Sequence, residues 1–332
     1  MRWLVTGGAG YVGAHVVHAL VAAGEGAVVL DDLSAGDVGR LAGLPGVPLV
    51  VGSVRDRALL HRVLAEHPVG GVVHLAGRKQ VAESVADPLR YYGENVDGVL
   101  ALLGACREAG VYRVVFSSSA AVYGLPGTDR VAEDDDCRPI SPYGRTKLVG
   151  EWALRDSRSW GLAAMCLRYF NVAGAGSAHL GDRGTTNLVP LVFQALDEGR
   201  RPVLFGADHA TPDGSPVRDF VHVSDVAEAH LAAARALAGG HPGGVYNVGC
   251  GEGSSVRQVL RVVGEVTGRD TSPEVAGRRP GDPARVVAAV DRIAADLGFR
   301  ARCDLRSMVA SAWGAWRWDA RRRAALPADQ PA

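Results

Sequence analysis

A doubly wound α/β fold is what this sequence predicts: a parallel sheet covered by helices on both faces, with a smaller, mixed α/β part toward the C-terminus. Three observations carry the expectation. Short apolar runs alternate with helical patterns through the first half, and the chain opens on such a run followed at once by a glycine-rich turn. Its 332 residues suffice for two domains at roughly 100–200 residues each.

Trp3, Leu4 and Val5 read as a short buried strand, and residues 6–13 turn into a helix whose apolar positions, Tyr11, Val12, Val16, Val17 and Leu20, recur at helical spacing. Gly7, Gly10 and Gly13 serve the tight turn, the close approach of backbone to phosphate oxygens, and close helix-to-sheet packing. An anion then sits on the helix N-terminus. The helix ends near residues 24–26, and the run 27–30 delivers Asp31 and Asp32 about twenty residues after the glycines, where a carboxylate accepts from a ribose diol. Aspartate there repels a 2'-phosphate, which favours NAD over NADP. The GxxGxxG spacing resembles that of the extended short-chain dehydrogenases, a resemblance that implies a Rossmann-type sheet.

Residues 47–51, 69–75 and 113–116 read as further strands, with helices over 56–66 and 95–109 between them. Ligands on parallel sheets bind beyond the carboxyl ends of the strands. That rule singles out Ser53 and Val54, then Ala76, Gly77, Arg78 and Lys79, then Ser117, Ser118 and Ser119. Ser53 stands where related enzymes usually carry aspartate. Lys79 reads either as a surface lysine or as a phosphate or ribose contact, and Asn95 either faces solvent from its helix or fixes the backbone of the site.

The segment 116–147 carries the chemistry. Ser141 suits an N-cap and Pro142 the first helical position, so a helix starts there and places Tyr143 and Lys147 on one face. An ammonium beside a phenol favours phenolate, and such a pair accepts the proton of a hydroxyl. A lone Tyr-x-x-x-Lys is as readily an ordinary surface pair, but here it follows a dinucleotide turn and a serine-bearing strand end.

Composition narrows the function classes. Lys plus Arg equals Asp plus Glu at 36 each, which argues against a nucleic-acid partner. The five cysteines, Cys106, Cys137, Cys166, Cys250 and Cys303, show neither metal-ligand nor disulfide spacing. No apolar stretch reaches a membrane span and no charged leader precedes the first strand, so a cytoplasmic protein is expected.

In order along the chain, TGGAGYVG, HLAGRKQVAESVADPLRYYGENVDG, FSSSAAVYG, SPYGRTK, RYFNVAGA, NLVP, VRDFVHVSDVAEAH, YNVGCGEGSSV and RRPGDPARVVA together resemble the UDP-glucose 4-epimerase family, to about Trp318. The Ala120-Ala121 pair after Ser119 lacks the Asp-Glu pair of the sister 4,6-dehydratases. The resemblance implies that Tyr143 is the catalytic base, that Lys147 lowers its pKa and holds the nicotinamide ribose, and that Ser119 bonds the sugar O4. It implies a cofactor site of Gly7, Gly10, Tyr11, Val12, Gly13, Asp31, Asp32, Ser53, Val54, Leu75, Ala76, Gly77, Lys79, Asn95, Ser117, Tyr143, Lys147 and Tyr169. The implied substrate site is Lys79, Ser119, Tyr143, Asn171, Asn187, Leu188, Arg218, Arg279, Asp282 and Val286, with no metal. From the residues alone, Arg218 beside Asp219 reads either as a surface pair or as a diphosphate clamp. His222 reads as a support of the fold.

The implied reaction passes hydride from C4 of a UDP-hexose to tightly held NAD and back to the other face of a 4-keto sugar. Val286 stands where epimerases restricted to plain hexoses resemble one another in carrying tyrosine, which extends the expectation to N-acetylated UDP-hexosamines. Two other readings stay open: a different nucleotide-sugar epimerase or decarboxylase of the same superfamily, and a non-catalytic dinucleotide sensor. A homodimer is implied through helices around 95–109 and 143–152. The expected domains are residues 1–172 with 222–250 returning to them, then 173–221 with 251–320, and a frayed tail over 321–332. Trp313, Trp316 and Trp318 are read as packing on the last helix.

Overall fold

The computed structural model describes residues 1–184, 186–279 and 281–325. Its first half runs β1 (Arg2–Thr6), α1 (Tyr11–Ala22), β2 (Gly26–Asp31), β3 (Leu49–Val51), α2 (Arg57–Glu66), β4 (Gly71–His74), α3 (Val81–Ala86), α4 (Pro88–Tyr91), α5 (Asp97–Ala109), β5 (Arg113–Ser119), α6 (Pro142–Asp156) and β6 (Ala163–Tyr169). The second half follows with β7 (Asn171–Ala173), α7 (Leu188–Asp197), β8 (Val203–Phe205), β9 (Val217–His222), α8 (Val223–Ala238), β10 (Gly243–Val248), β11 (Gly253–Ser255), α9 (Val256–Thr267), β12 (Glu274–Ala276), β13 (Arg285–Val286), α10 (Asp291–Leu297) and α11 (Leu305–Ala325).

Seven strands form one sheet in the order β10-β6-β5-β4-β1-β2-β3, and every neighbouring pair is parallel. The doubly wound order expected from strand-helix alternation is therefore present. Strand side chains alternate between faces, and the two cores divide accordingly. Trp3, Val5, Val29, Val73, Val115, Met165 and Leu167 pack against α1 and α8. Leu4, Val28, Leu30, Val72, Val114, Phe116 and Cys166 pack against α2 and α5. Burial on both faces is why these strands read as continuous apolar runs rather than alternating ones.

The chain leaves this sheet after β6 and returns to it as β10, which pairs with β6 from Gly243 to Val248. Between and after these strands lies a smaller mixed unit: β9 pairs parallel with β7 and β13 and antiparallel with β11, and β12 pairs with β8. Its own core is built from Val189, Val192, Phe193, Val259, Leu260, Met308 and Val309, with Trp313 and Trp316 packed against it.

Several boundaries differ from the sequence expectation. Ser117–Ser119 are the last residues of β5 rather than a turn after it. Residues 95 and 96 belong to a π-helical turn, Tyr92–Val96, ahead of α5. The last helix carries residues 321–325, which were expected to fray, while 326–332 lie outside the described residues. Among the described residues no helix is long and apolar enough to cross a membrane.

Candidate functional site

A single cavity of about 1290 Å³ opens along the carboxyl ends of β1, β2, β4, β5 and β6 and continues between α7, β8 and β13. It is lined by every residue expected at the cofactor or substrate site except Asn95.

The glycine turn is shaped by close approach. Gly7 has φ +72°, and a Cβ there would meet the Ala76 amide nitrogen at 2.7 Å. A Cβ at Gly13 would lie 2.0 Å from the Gly7 carbonyl oxygen, so only glycine lets α1 start this close to β1. Gly10 caps α1 without a side-chain bond, which leaves the first-turn N–H groups aimed into the cavity for an anion. Asp31 accepts from Ala9 N at 2.9 Å with one oxygen and from Leu33 N at 2.8 Å with the other. Burial still raises its carboxyl above the usual range, against those two bonds. These groups fit the phosphates and ribose of a dinucleotide. Asp32 and Ser53 also line the cavity; each closes a local turn, Asp32 by accepting from Ser34 N at 2.9 Å and Ser53 by accepting from Arg55 N at 3.2 Å.

Asn95 stands behind the cavity wall. Its buried amide accepts from Arg78 N at 2.8 Å, donates to Arg78 O at 3.1 Å and donates to Thr146 Oγ1 at 2.9 Å. It therefore shapes the loop after β4, including Gly77, in line with the alternative that it fixes the backbone of the site. Lys79 is exposed on that loop and lines the cavity. Glu83, for which the sequence suggested no role, accepts from the Tyr91 hydroxyl at 2.7 Å and from Arg78 at 3.3 Å, and so closes the loop.

Tyr143, Lys147, Ser117 and Ser119 converge where α6 crosses the end of β5. Ser141 caps α6 by accepting from Gly144 N at 3.1 Å. Lys147 is 5% exposed and donates to Ser117 O at 2.8 Å, with its Nζ 6.0 Å from the Tyr143 ring centre. Burial brings Lys147 down to about 8, against the negative charge of Glu151. The Tyr143 phenol departs from the expectation of a lowered pKa. Burial raises it, the bond with the Ser119 hydroxyl works in the opposite direction, and Lys147 spends its nearest contact on a carbonyl. Tyr169, which shares the cavity, meets His230 Nε2 through its hydroxyl at 3.0 Å.

At the other end, Arg218 is ion-paired with Asp282 and donates to Val217 O at 2.7 Å. Asp219 settles the surface-pair alternative: it is fully buried and accepts from Cys250 N, Gly251 N and Ala288 N at 2.8, 2.9 and 3.1 Å. It thus pins β9 to β13, where Val286 lies beside Arg218 in parallel register. Arg279 stacks its guanidinium 3.8 Å from the Phe205 ring centre. Phe205 was missed because residues 203–205 look like any short apolar strand. Asn187, at the N-cap of α7, donates to Asp182 at 2.6 Å, while Leu188 and Asn171 line the same wall. His222 is absent from the cavity and caps α8 through Ser224 N at 3.0 Å, in keeping with a supporting role.

Three comparisons bear on what such a site does. Residues 3–249 match the NAD dependent epimerase/dehydratase family. The UDP-glucose 4-epimerase of Azospirillum brasilense is 49% identical over 319 residues, covering 94% of this chain and 90% of the relative. A crystal structure of the UDP-glucose 4-epimerase of Stenotrophomonas maltophila, with bound NAD and formylated UDP-arabinopyranose, is 39% identical with a TM-score of 0.92, covering 98% of this chain and 100% of that one. The UDP-Glc/GlcNAc 4-epimerase of Campylobacter jejuni is 33% identical with a TM-score of 0.84, covering 96% and 99%.

Proposed function

Because the chain belongs to the NAD dependent epimerase/dehydratase family, we propose that it interconverts UDP-glucose and UDP-galactose at C4, using tightly bound NAD. The observation that carries this reading is the meeting of Ser119, Tyr143 and Lys147 in the cavity that the glycine turn enters. A sensor of dinucleotides has no use for a base there.

The residues divide the work. Gly7, Gly10 and Gly13 hold the cofactor phosphates on the α1 N-terminus, and Asp31 accepts from its adenosine ribose. NAD, when bound, supplies the hydride acceptor at C4 and, in its oxidised form, a cationic ring that favours phenolate. Tyr143 takes the O4 proton as the C4 hydride departs, and Ser119 fixes that oxygen. Lys147 holds the nicotinamide ribose and keeps positive charge near the phenol. Arg218 and Arg279 clamp the diphosphate, Asp282 accepts from the uridine ribose, and Phe205 offers the uracil a flat apolar face. Once the 4-keto sugar presents its other face, Tyr143 would give its proton back to O4 as C4 is reduced.

Incubation with UDP-galactose and no added cofactor tests the reading. UDP-glucose formed without free NADH supports it, and inertness after NAD is supplied, with binding intact, refutes it.

Val286 lines the cavity with a side chain smaller than the tyrosine the resemblance expects in enzymes restricted to plain hexoses, so UDP-N-acetylglucosamine is a second proposed substrate, as it is by name for the Campylobacter relative. Val286→Tyr is expected to remove turnover of the N-acetylated sugar while UDP-galactose turnover stays within about threefold. Loss of both, or of neither, sinks the assignment. A homodimer through α5 and α6 is proposed as well, supported by Leu100 and Trp152, both 47% exposed on those helices. The five free cysteines suit a reducing cytoplasm.

A further inference from the structure

The serines at the end of β5 point two ways. Successive strand residues face opposite sides, so Ser119 reaches the Tyr143 hydroxyl while Ser118, 1% exposed, turns into the interior and donates to Glu151. Glu151 is one helical turn beyond Lys147 on α6 and is 5% exposed. Its two oxygens take a bidentate pair from Arg168, at 2.9 Å from Nε and 2.6 Å from Nη2. Arg168 lies directly opposite Ser118 in the β5–β6 register, one residue before Tyr169. Its remaining nitrogen donates to the Tyr123 hydroxyl at 2.9 Å and to Glu133 O at 3.2 Å, with the guanidinium 4.8 Å from the Tyr123 ring centre.

An ion pair this deep is costly unless its geometry is complete, and here the carboxylate has three donors. The helix that bears Tyr143 and Lys147 is thereby tied to the strand end at two successive turns, through Lys147 to Ser117 O and through Glu151 to Ser118. We infer that Glu151 is a positioning residue for the C4 chemistry: clamped by Ser118 and Arg168, it sets the register of α6 on β5 and supplies the buried negative charge that faces Lys147. The inference rests on the epimerase reading above.

The groups around Lys147 make its sign definite. Tyr143 and Glu151 share its helix, His74 faces it from the end of β4, and Arg168 and the Cys166 thiol lie on β6 beyond Glu151. Burial holds His74 down to about 3, with the Lys147 charge adding to the effect, and burial pushes the Cys166 thiol up, so both are neutral at working pH. Burial opposes the charge of Arg168, but Glu151 holds it above its ordinary value. Glu151 is thus the anion of a set in which Lys147 and Arg168 are the cations. Turnover needs Lys147 charged and falls as pH rises through its titration.

The test compares the alkaline limb of the kcat profile for UDP-galactose in three holoenzymes. Glu151→Gln keeps the shape and removes the charge, so its limb is expected to move to lower pH by about half a unit or more, with KM within about twofold and NAD content unchanged. Arg168→Gln leaves the Glu151 charge to Lys147 alone and is expected to move the limb to higher pH. Opposite shifts support the inference. No shift, shifts in one direction, or a loss carried by KM overturns it. Should Glu151→Gln fail to retain NAD, the sign of the Arg168→Gln shift decides alone. Conversion of UDP-galactose by the unaltered protein judges the epimerase reading separately.

Discussion

The two ends of the cavity are held by different means. Beneath the glycine turn, the polar groups that face the cavity are fixed by the backbone: Asp31 by Ala9 N and Leu33 N, Lys147 by Ser117 O, and the α1 N-terminus by glycines that tolerate no Cβ. At the far end side chains do more of the holding: Arg218 pairs with Asp282 as well as donating to Val217 O, and Arg279 lies on the ring of Phe205. A group fixed by backbone meets its ligand with little rearrangement, whereas a paired side chain must exchange partners to bind. The difference suits a cofactor that stays and a nucleotide sugar that comes and goes.

Substitutions sharpen this contrast. The largest effect is expected from Tyr143→Phe, which removes the proton acceptor and leaves the scaffold: kcat falls by about 10²–10⁴-fold, with NAD content and melting temperature kept. A near-normal rate removes Tyr143 as the base. Arg218→Ala comes next. Charged hydrogen bonds contribute about 1.5–3 kcal/mol each, so KM for UDP-galactose is expected to rise by roughly tenfold to a hundredfold while NAD stays bound. Loss of NAD from this variant would break the contrast, because it would show the two ends sharing their support.

A smaller effect is expected from acid. His15 accepts from Gly176 N at 2.8 Å, which requires its neutral ring, and burial holds it down to about 4 from an ordinary 6.5. Burial likewise holds His230 at about 4. The folded state binds these protons less readily than the unfolded chain, so the stability they contribute is full above pH 6.5 and lost as pH falls from there toward 4. Melting temperature measured across that window should decline, and His15→Gln should flatten part of the decline.

The sheet and the glycine turn were legible in the sequence because backbone rules fix them: a three-residue glycine spacing, apolar runs buried on both faces, and a carboxylate at the end of β2. Tyr143, Lys147 and Ser119 were legible through helix phase and the strand-end rule. The choice between the two readings of Asn95 was not legible, because a π-helical turn has no periodic signature to say which way its amide faces. The direction of the Tyr143 shift was missed because burial, which residue types do not reveal, outweighs the bond with Ser119 that lowers it. Glu151 and Arg168 look like ordinary helix and strand residues. Only register brings them together with Ser118.

The return of the chain as β10 has a consequence for synthesis on the ribosome. When β6 emerges, the edge it will share with β10 is open, and the sheet face that α8 will cover still shows Val115, Met165 and Leu167. The face cannot close until α8 has been translated to Ala238, nor the edge until β10 has been translated to Val248. The nucleotide-binding part is therefore contiguous in space but not in time, and translation arrested anywhere between 170 and 248 leaves a bare parallel edge, and before 238 an apolar face as well, for chaperones to shield.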